Sequence, residues 1–223
     1  MIIDERTATF IDLMDKGNGS FLDMIESEAL ADGVPIIRRS TQSLLRFLIK
    51  YSKPKRILEI GTAVGFSALL MSEAAGPDAH IDTIEKYEKR IPIAHANFER
   101  ARDAGECSMD AELTRITLYE GDAFEILPTL EGTYDMIFMD AAKGQYINWL
   151  PELMRLLPEG GLLVSDNILQ DGDVIESRFA VTRRDRTIHS RMRDYIYELK
   201  HNDLLETVIL PVGDGMTLST KLK

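Results

Sequence analysis

From Lys55 onward the chain alternates short apolar runs with helical segments, and no other feature limits its possible folds so strongly. The runs are Arg56-Ile-Leu-Glu-Ile60, His80-Ile-Asp-Thr-Ile84, Arg115-Ile-Thr-Leu-Tyr119, Tyr134-Asp-Met-Ile-Phe-Met139 and Gly161-Leu-Leu-Val-Ser165. Strands separated by stretches long enough to hold a helix pair in parallel, because a parallel connection needs a crossover. An α/β fold follows, with a parallel sheet and helices on both faces. A helical segment from about Arg184 to His201 then leads to Glu206-Thr-Val-Ile-Leu-Pro-Val212, Gly213-Asp-Gly215 and Met216-Thr-Leu-Ser-Thr220. Asp-Gly between two alternating runs predicts a hairpin, so the sheet should finish with an antiparallel strand.

The first 52 residues read as helices: Glu5 to Lys16, a second opened by a capping-box-like Ser20-Phe-Leu-Asp23, and a third over Ser40 to Lys50. Gly33-Val-Pro35 separates the last two. With 223 residues, 44% hydrophobic and 28% charged, one domain over 1–223 is expected, its helices at 1–52 and its α/β core at 55–223. No window approaches the ~18 apolar residues needed to cross a bilayer, and the start lacks the basic and apolar regions of a signal peptide. The lone Cys107 has no internal disulfide partner, which fits a cytoplasmic protein with no membrane contact. A net charge of -11 argues against general attraction to nucleic acid. The exception is local, where Arg178, Arg183, Arg184, Arg186, Arg191 and Arg193 crowd together.

Ligands of open α/β sheets bind at the carboxyl ends of the strands, where loops converge and helix N-termini point their amides. Those ends carry Gly61, Glu85, Gly121-Asp122, Asp140 and Asp166-Asn167. A single acid there is a helix cap or a solvated turn, but acids recurring along one edge suggest a site. The first turn, Glu59-Ile-Gly-Thr-Ala-Val-Gly-Phe-Ser67, spaces its glycines as G-x-x-x-G rather than the G-x-G-x-x-G of a dinucleotide site. Glu59 would repel a pyrophosphate but suit the sulfonium and amino group of S-adenosylmethionine (SAM), and Glu85 is placed to hold ribose hydroxyls. Asp140, Asp166 and Asn167 offer three oxygen ligands from neighbouring strand ends, a set suited to Mg²⁺.

These residues together make the sequence resemble the metal-dependent class I O-methyltransferases of the catechol and caffeoyl-CoA type. The matching stretches are Leu58-Glu-Ile-Gly-Thr-Ala-Val-Gly-Phe-Ser67, Ile84-Glu85, Gly121-Asp-Ala123, Phe138-Met-Asp-Ala-Ala-Lys143 and Val164-Ser-Asp-Asn167. Within that group, Val34-Pro-Ile-Ile37, Ile84-Glu-Lys-Tyr-Glu-Lys-Arg90, Asp140-Ala-Ala-Lys-Gly-Gln-Tyr146, Asp166-Asn-Ile-Leu169 and Pro211-Val-Gly-Asp-Gly215 look most like the bacterial tRNA 5-hydroxyuridine methyltransferases, which make 5-methoxyuridine at the wobble position. The resemblance implies a Rossmann-like, seven-stranded, mostly parallel sheet ended by an antiparallel strand, and a homodimer. It also implies SAM contacts at Ile37, Glu59, Gly61, Ser67, Glu85, Asp122, Ala123 and Asp140, and a divalent metal, Mg²⁺ foremost, on Asp140, Asp166 and Asn167.

Methyl transfer needs an oxygen nucleophile held in line with the S-methyl bond. Asp140 and Lys143 are the candidate catalytic pair, with Lys143 accepting the hydroxyl proton or stabilising the oxyanion. The expected partner is a tRNA anticodon stem-loop, gripped by Arg183, Arg184, Arg186 and Arg191. The pairs 184/191 and 186/193, seven apart, should share a helix face, although Asp185 interrupts the run. A solvated face or dimer contact is the plainer alternative for those arginines. His189 is expected on the helix surface, Met136 and Met139 in the core, and Trp149 at the edge of the site. The rival enzyme acts on a small catechol or caffeoyl-CoA-like phenol. A catalytically silent nucleotide-binding module is a third reading, opposed by intact Asp140, Asp166, Asn167 and Lys143.

Overall fold

The computed structural model describes residues 4–104, 115–177 and 179–223; Cys107 and Arg178 lie outside them. Three helices come first: α1 (Glu5–Met14), α2 (Ser20–Ala31) and α3 (Arg39–Ser52). The alternating part follows as β1 (Arg56–Ile60), α4 (Phe66–Ala75), β2 (His80–Glu85), α5 (Ile91–Asp103), β3 (Ile116–Glu120) and α6 (Ala123–Ile126). Next come β4 (Met136–Met139), α7 (Tyr146–Leu156), β5 (Leu162–Ser165), α8 (Arg186–His201), β6 (Leu205–Leu210) and β7 (Met216–Lys221). Each apolar run of the sequence has become a strand, with bounds shifted by a residue or two.

The seven strands form one sheet in the order β3-β2-β1-β4-β5-β7-β6. The first five run parallel, and β7 lies antiparallel between β5 and β6. The expected hairpin is therefore present, turned through residues 211–215 with Gly213 and Gly215 at positive φ. Because the chain winds outward from β1 to β3 and then returns to place β4 on the other side of β1, the loops after β1 and β4 diverge to opposite faces. That divergence opens a crevice at the carboxyl edge.

Alternation along the strands divides the core into two layers. In β4, Met136 and Phe138 pack with Leu45 and Ile49 of α3 and Leu69 and Leu70 of α4. Ile137 and Met139 face Leu150 and Leu153 of α7 and Met192, Tyr195 and Leu199 of α8. A strand covered on both faces has no polar side to offer, which is why β4 reads as an unbroken apolar run. Met136 and Met139 are core residues, as expected.

Three local expectations fail. Ser20 is the first residue of α2 rather than its cap, and Gly19 at the cap position provides no side chain, so no capping box forms. Asp15 ends α1 two residues early, its carboxylate taking the amide of Gly17 and the guanidinium of Arg46. Thr182 and Asp185 close a turn by Thr182 Oγ1 donating to Asp185 Oδ2 at 2.5 Å and Asp185 N–H donating to Thr182 O at 3.0 Å. Helix α8 therefore starts only at Arg186, which leaves Arg183 and Arg184 in the preceding turn, and 184 and 191 share no helix face. No helix among the described residues is long and apolar enough to cross a membrane.

Candidate active site

Glycine chemistry shapes the turn between β1 and α4. Gly61 has φ +108°, and a Cβ there would sit 2.1 Å from the carbonyl oxygen of Asp140. Only a residue without a side chain lets the ends of β1 and β4 approach so closely. Gly65, at φ +87°, likewise leaves room for the ring of Phe98. The turn is tied to β2 by the amides of Gly61 and Thr62 on Ile84 O and by the Ala63 amide on Glu85 Oε2 at 2.7 Å. The other oxygen of Glu85 accepts the amides of Lys86 and Tyr87. Glu85 is thus held rigidly at the cavity wall by three backbone donors.

The crevice is a cavity of about 550 Å³, within the range of small-molecule sites. Of the expected SAM contacts, Ile37, Gly61, Ser67, Glu85, Asp122, Ala123 and Asp140 all line it. Asp122 caps α6 by accepting Phe124 N–H at 2.9 Å and pairs with Lys86 at 3.3 Å, and these two contacts, the first above all, hold its pKa below the usual range. Glu59 does not line the cavity. It is fully enclosed, with Ser67 Oγ donating to Oε1 and Thr83 Oγ1 to Oε2. Burial pushes its carboxyl up to about 7, against the pull of those two hydroxyls. Its hydrogen-bond partner Ser67 does reach the wall, as do Asp140 and Glu85, whose charges Glu59 feels.

Asp140 leaves β4 and Asp166 leaves β5 on the same cavity surface, with Asn167 between them. Asn167 adopts φ +61°, a left-handed conformation that asparagine tolerates, and its Nδ2 donates to Asp140 Oδ1 at 2.6 Å. Its own amide donates to Asp166 Oδ1 at 2.7 Å. Burial, chiefly, pushes the Asp166 carboxyl above its ordinary range, and the Asp140 charge adds to it. Asp140 is raised too, again by burial, with Lys143, Asn167 and Arg90 opposing. Two carboxylates raised by shared burial are a place where a cation is electrostatically welcome. Among the described residues no group of three or more His, Cys, Asp or Glu gathers in that way, so the donor set is two carboxylates and one amide. Such an all-oxygen set fits a hard divalent cation.

Lys143 sits in a short 3₁₀ turn at Lys143–Gln145 and faces both acids across the cavity. Trp149 packs at the cavity edge as expected, largely buried. Sequence reasoning gave no role to Arg90, Arg38 or Asp214, which also line the wall, the last two joined by an ion pair of 2.5 Å. The Val212–Gly215 stretch was visible as a motif, but nothing in it signalled that the hairpin would fold over the site.

Arg183, Arg184, Arg186, Arg191 and Arg193 lie outside the cavity. Arg191 donates to Gly144 O at 3.1 Å, directly beside Lys143, and Arg193 donates to Val174 O at 3.1 Å. Arg186 stands 5.8 Å from the centre of the Phe179 ring, which is 83% exposed. His189, expected on the surface, is instead buried, its Nε2 paired with Glu176 O at 3.1 Å. The reason is that α8 turns this face toward the segment that follows Asn167.

Comparison with known proteins agrees with this geometry. A caffeoyl-CoA O-methyltransferase of Populus trichocarpa is 32% identical over 194 residues, covering 80% of this chain and 72% of the relative. A catechol O-methyltransferase of Niastella koreensis is 32% identical over 150 residues, covering 65% and 64%. Among solved structures, a Staphylococcus aureus protein provisionally assigned as a caffeoyl-CoA O-methyltransferase superposes with a TM-score of 0.85 at 31% identity, covering 98% of this chain and all of that one. The SAH-bound methyltransferase of Podospora anserina gives 0.83 at 26% identity, covering 99% and 97%. The O-methyltransferase family model matches residues 29–222, and the chain belongs to that family.

Proposed function

We propose that this enzyme transfers the methyl group of SAM to one of two adjacent oxygens on a phenol-like ring. One observation carries the reading: Asp140, Asp166, Asn167 and Lys143 line the same cavity as the turns that follow β1, β2 and β3. Asp140, Asp166 and Asn167 would hold a divalent cation, Mg²⁺ foremost, which when bound supplies a lower pKa for the acceptor hydroxyl and a fixed seat for both oxygens. Gly61 and Ser67 bound the space for the methionine end of the donor, Glu85 its ribose, and Asp122 with Ala123 its adenine. The acceptor oxygen attacks the methyl carbon in line, the carbon–sulfur bond breaks toward sulfur, and Lys143 takes the hydroxyl proton or stabilises the oxyanion. The products are a methyl ether and S-adenosylhomocysteine (SAH).

For the acceptor, the names of the relatives favour a catechol or caffeoyl-CoA-like phenol. A second reading is 5-hydroxyuridine at the tRNA wobble position, whose 5-hydroxyl and 4-carbonyl are adjacent oxygens. A specific feature favours it: exposed Phe179 beside Arg186, with exposed Arg183 and Arg184, offers stacking and phosphate contacts on the segment that leaves the site. A cytoplasmic location goes with that substrate. The same reading includes a homodimer, supported by exposed Phe10, Leu13 and Met14 on α1, a helix with no buried residue, and by the exposed stacked pair Phe47 and Tyr51.

Incubation of the purified protein with SAM and Mg²⁺ and either catechol, caffeoyl-CoA or a 5-hydroxyuridine-bearing stem-loop decides the acceptor. The phenol reading requires methylated phenol that is indifferent to Arg183→Ala with Arg184→Ala. The RNA reading requires methylated stem-loop that these changes weaken, and loss of 5-methoxyuridine from the tRNA of cells lacking the gene. Turnover of none of the three refutes both.

A further inference from the structure

The phenol of Tyr146 lies behind the acidic cluster, outside the cavity wall, and it is fully buried. Its oxygen accepts the amide of Ala141 at 3.1 Å and stands 3.3 Å from the carbonyl oxygens of both Met139 and Asp166, between which its single proton is shared. These partners are the chain on either side of Asp140 and the backbone of Asp166 itself. The paired part of β4 and β5 ends at Met139 and Ser165, with Asp166 N–H still reaching Met139 O at 2.9 Å. Past that point the two strand ends are joined by Tyr146 and by the Asn167 contact to Asp140.

The ring cannot drift. It meets Tyr195 edge-on at 5.5 Å and Trp149 at 6.2 Å, and the Tyr195 hydroxyl is itself bonded to Ser165 Oγ at 2.6 Å. A tyrosine needed only for packing would satisfy its hydroxyl with one partner, whereas this oxygen joins both strand ends that carry the carboxylates. We propose that Tyr146 is a positioning residue that sets the separation of Asp140 from Asp166 and Asn167, and so the affinity of that cluster for a divalent cation. The proposal rests on the reading of the cluster as a cation site. Groups that orient ligands from behind typically change metal affinity ~10- to 100-fold when removed.

The test is Tyr146→Phe, which keeps the ring and removes the oxygen, with Mn²⁺ binding measured on ligand-free protein by the electron paramagnetic resonance signal of free Mn²⁺. SAH binding, followed by the fluorescence of Trp149 without metal, separates a local effect from a general one. Tyr134→Phe is the control, since it removes an equally buried hydroxyl that donates to Asp82 Oδ2 at 2.6 Å on β2, away from the cluster. The expected result is Mn²⁺ affinity lowered about tenfold in Tyr146→Phe, with SAH affinity retained, and Mn²⁺ affinity retained in Tyr134→Phe. Wild-type Mn²⁺ affinity in Tyr146→Phe, or an equal loss in Tyr134→Phe, overturns the proposal. A wild-type protein that binds no Mn²⁺ refutes the cation site itself, a distinguishable outcome. If Tyr146→Phe does not fold, a ring-fluorinated tyrosine at position 146, a weaker acceptor but stronger donor of nearly the same shape, must shift Mn²⁺ affinity in one direction or the other, or the proposal fails.

Discussion

Glu59 offers a quantitative test of how this site is built. Its carboxyl is wholly enclosed and pushed up to about 7 from 4.5, first by burial. In the unfolded chain it ionises near the ordinary value, so between about pH 4.5 and about pH 7 the folded state holds the extra proton. Stability contributed by this group is therefore fully present below the unfolded pKa and is lost as pH rises toward the folded one. At ~1.4 kcal/mol per unit, the loss amounts to roughly 3 kcal/mol across that window. Glu59→Gln keeps the shape and an oxygen for Ser67 or Thr83 but does not titrate. Any hydrogen-bond energy it forfeits is a constant offset, so the information lies in the pH slope. Thermal unfolding of both ligand-free proteins over this window should show the variant gaining on the wild type as pH rises. For a chain of this size the gain is about 6–12 °C in Tm. Parallel curves would mean that Glu59 keeps an ordinary pKa, and the description of a sealed acid behind Ser67 would be wrong.

Gly61→Ala should lower kcat about 100-fold or more, because its new carbon would collide with the Asp140 carbonyl 2.1 Å away and force β1 and β4 apart; steady-state kinetics with SAH titration checks this, and near wild-type turnover contradicts it. Lys143→Met should lower kcat by about 10²–10⁴ while leaving SAH affinity unchanged, as single-turnover rates and fluorescence titration will show. Equal losses in both measurements would make Lys143 a cofactor contact rather than a proton acceptor.

The strands were legible because a parallel sheet covered on both faces demands continuous apolar runs, and a run such as Met136–Met139 can satisfy little else. The site's acids were legible for a related reason, since strand ends in such a sheet face one crevice. Helix starts were less so. Ser20 has the composition of a cap but lies inside α2, and the Thr182–Asp185 turn held Arg183 and Arg184 out of α8, because local hydrogen bonds between side chains and backbone compete on nearly equal terms. The sequence alone determined which residues would gather at the carboxyl edge, through periodicity and the positions of Gly61, Glu85, Asp140 and Asp166. Depth was decided only by the tertiary structure. Whether Glu59 faces a ligand or is enclosed by Ser67 and Thr83, whether His189 is exposed, and that Tyr146 joins two strand ends all depend on contacts between separate elements of the fold, and no local periodicity encodes those.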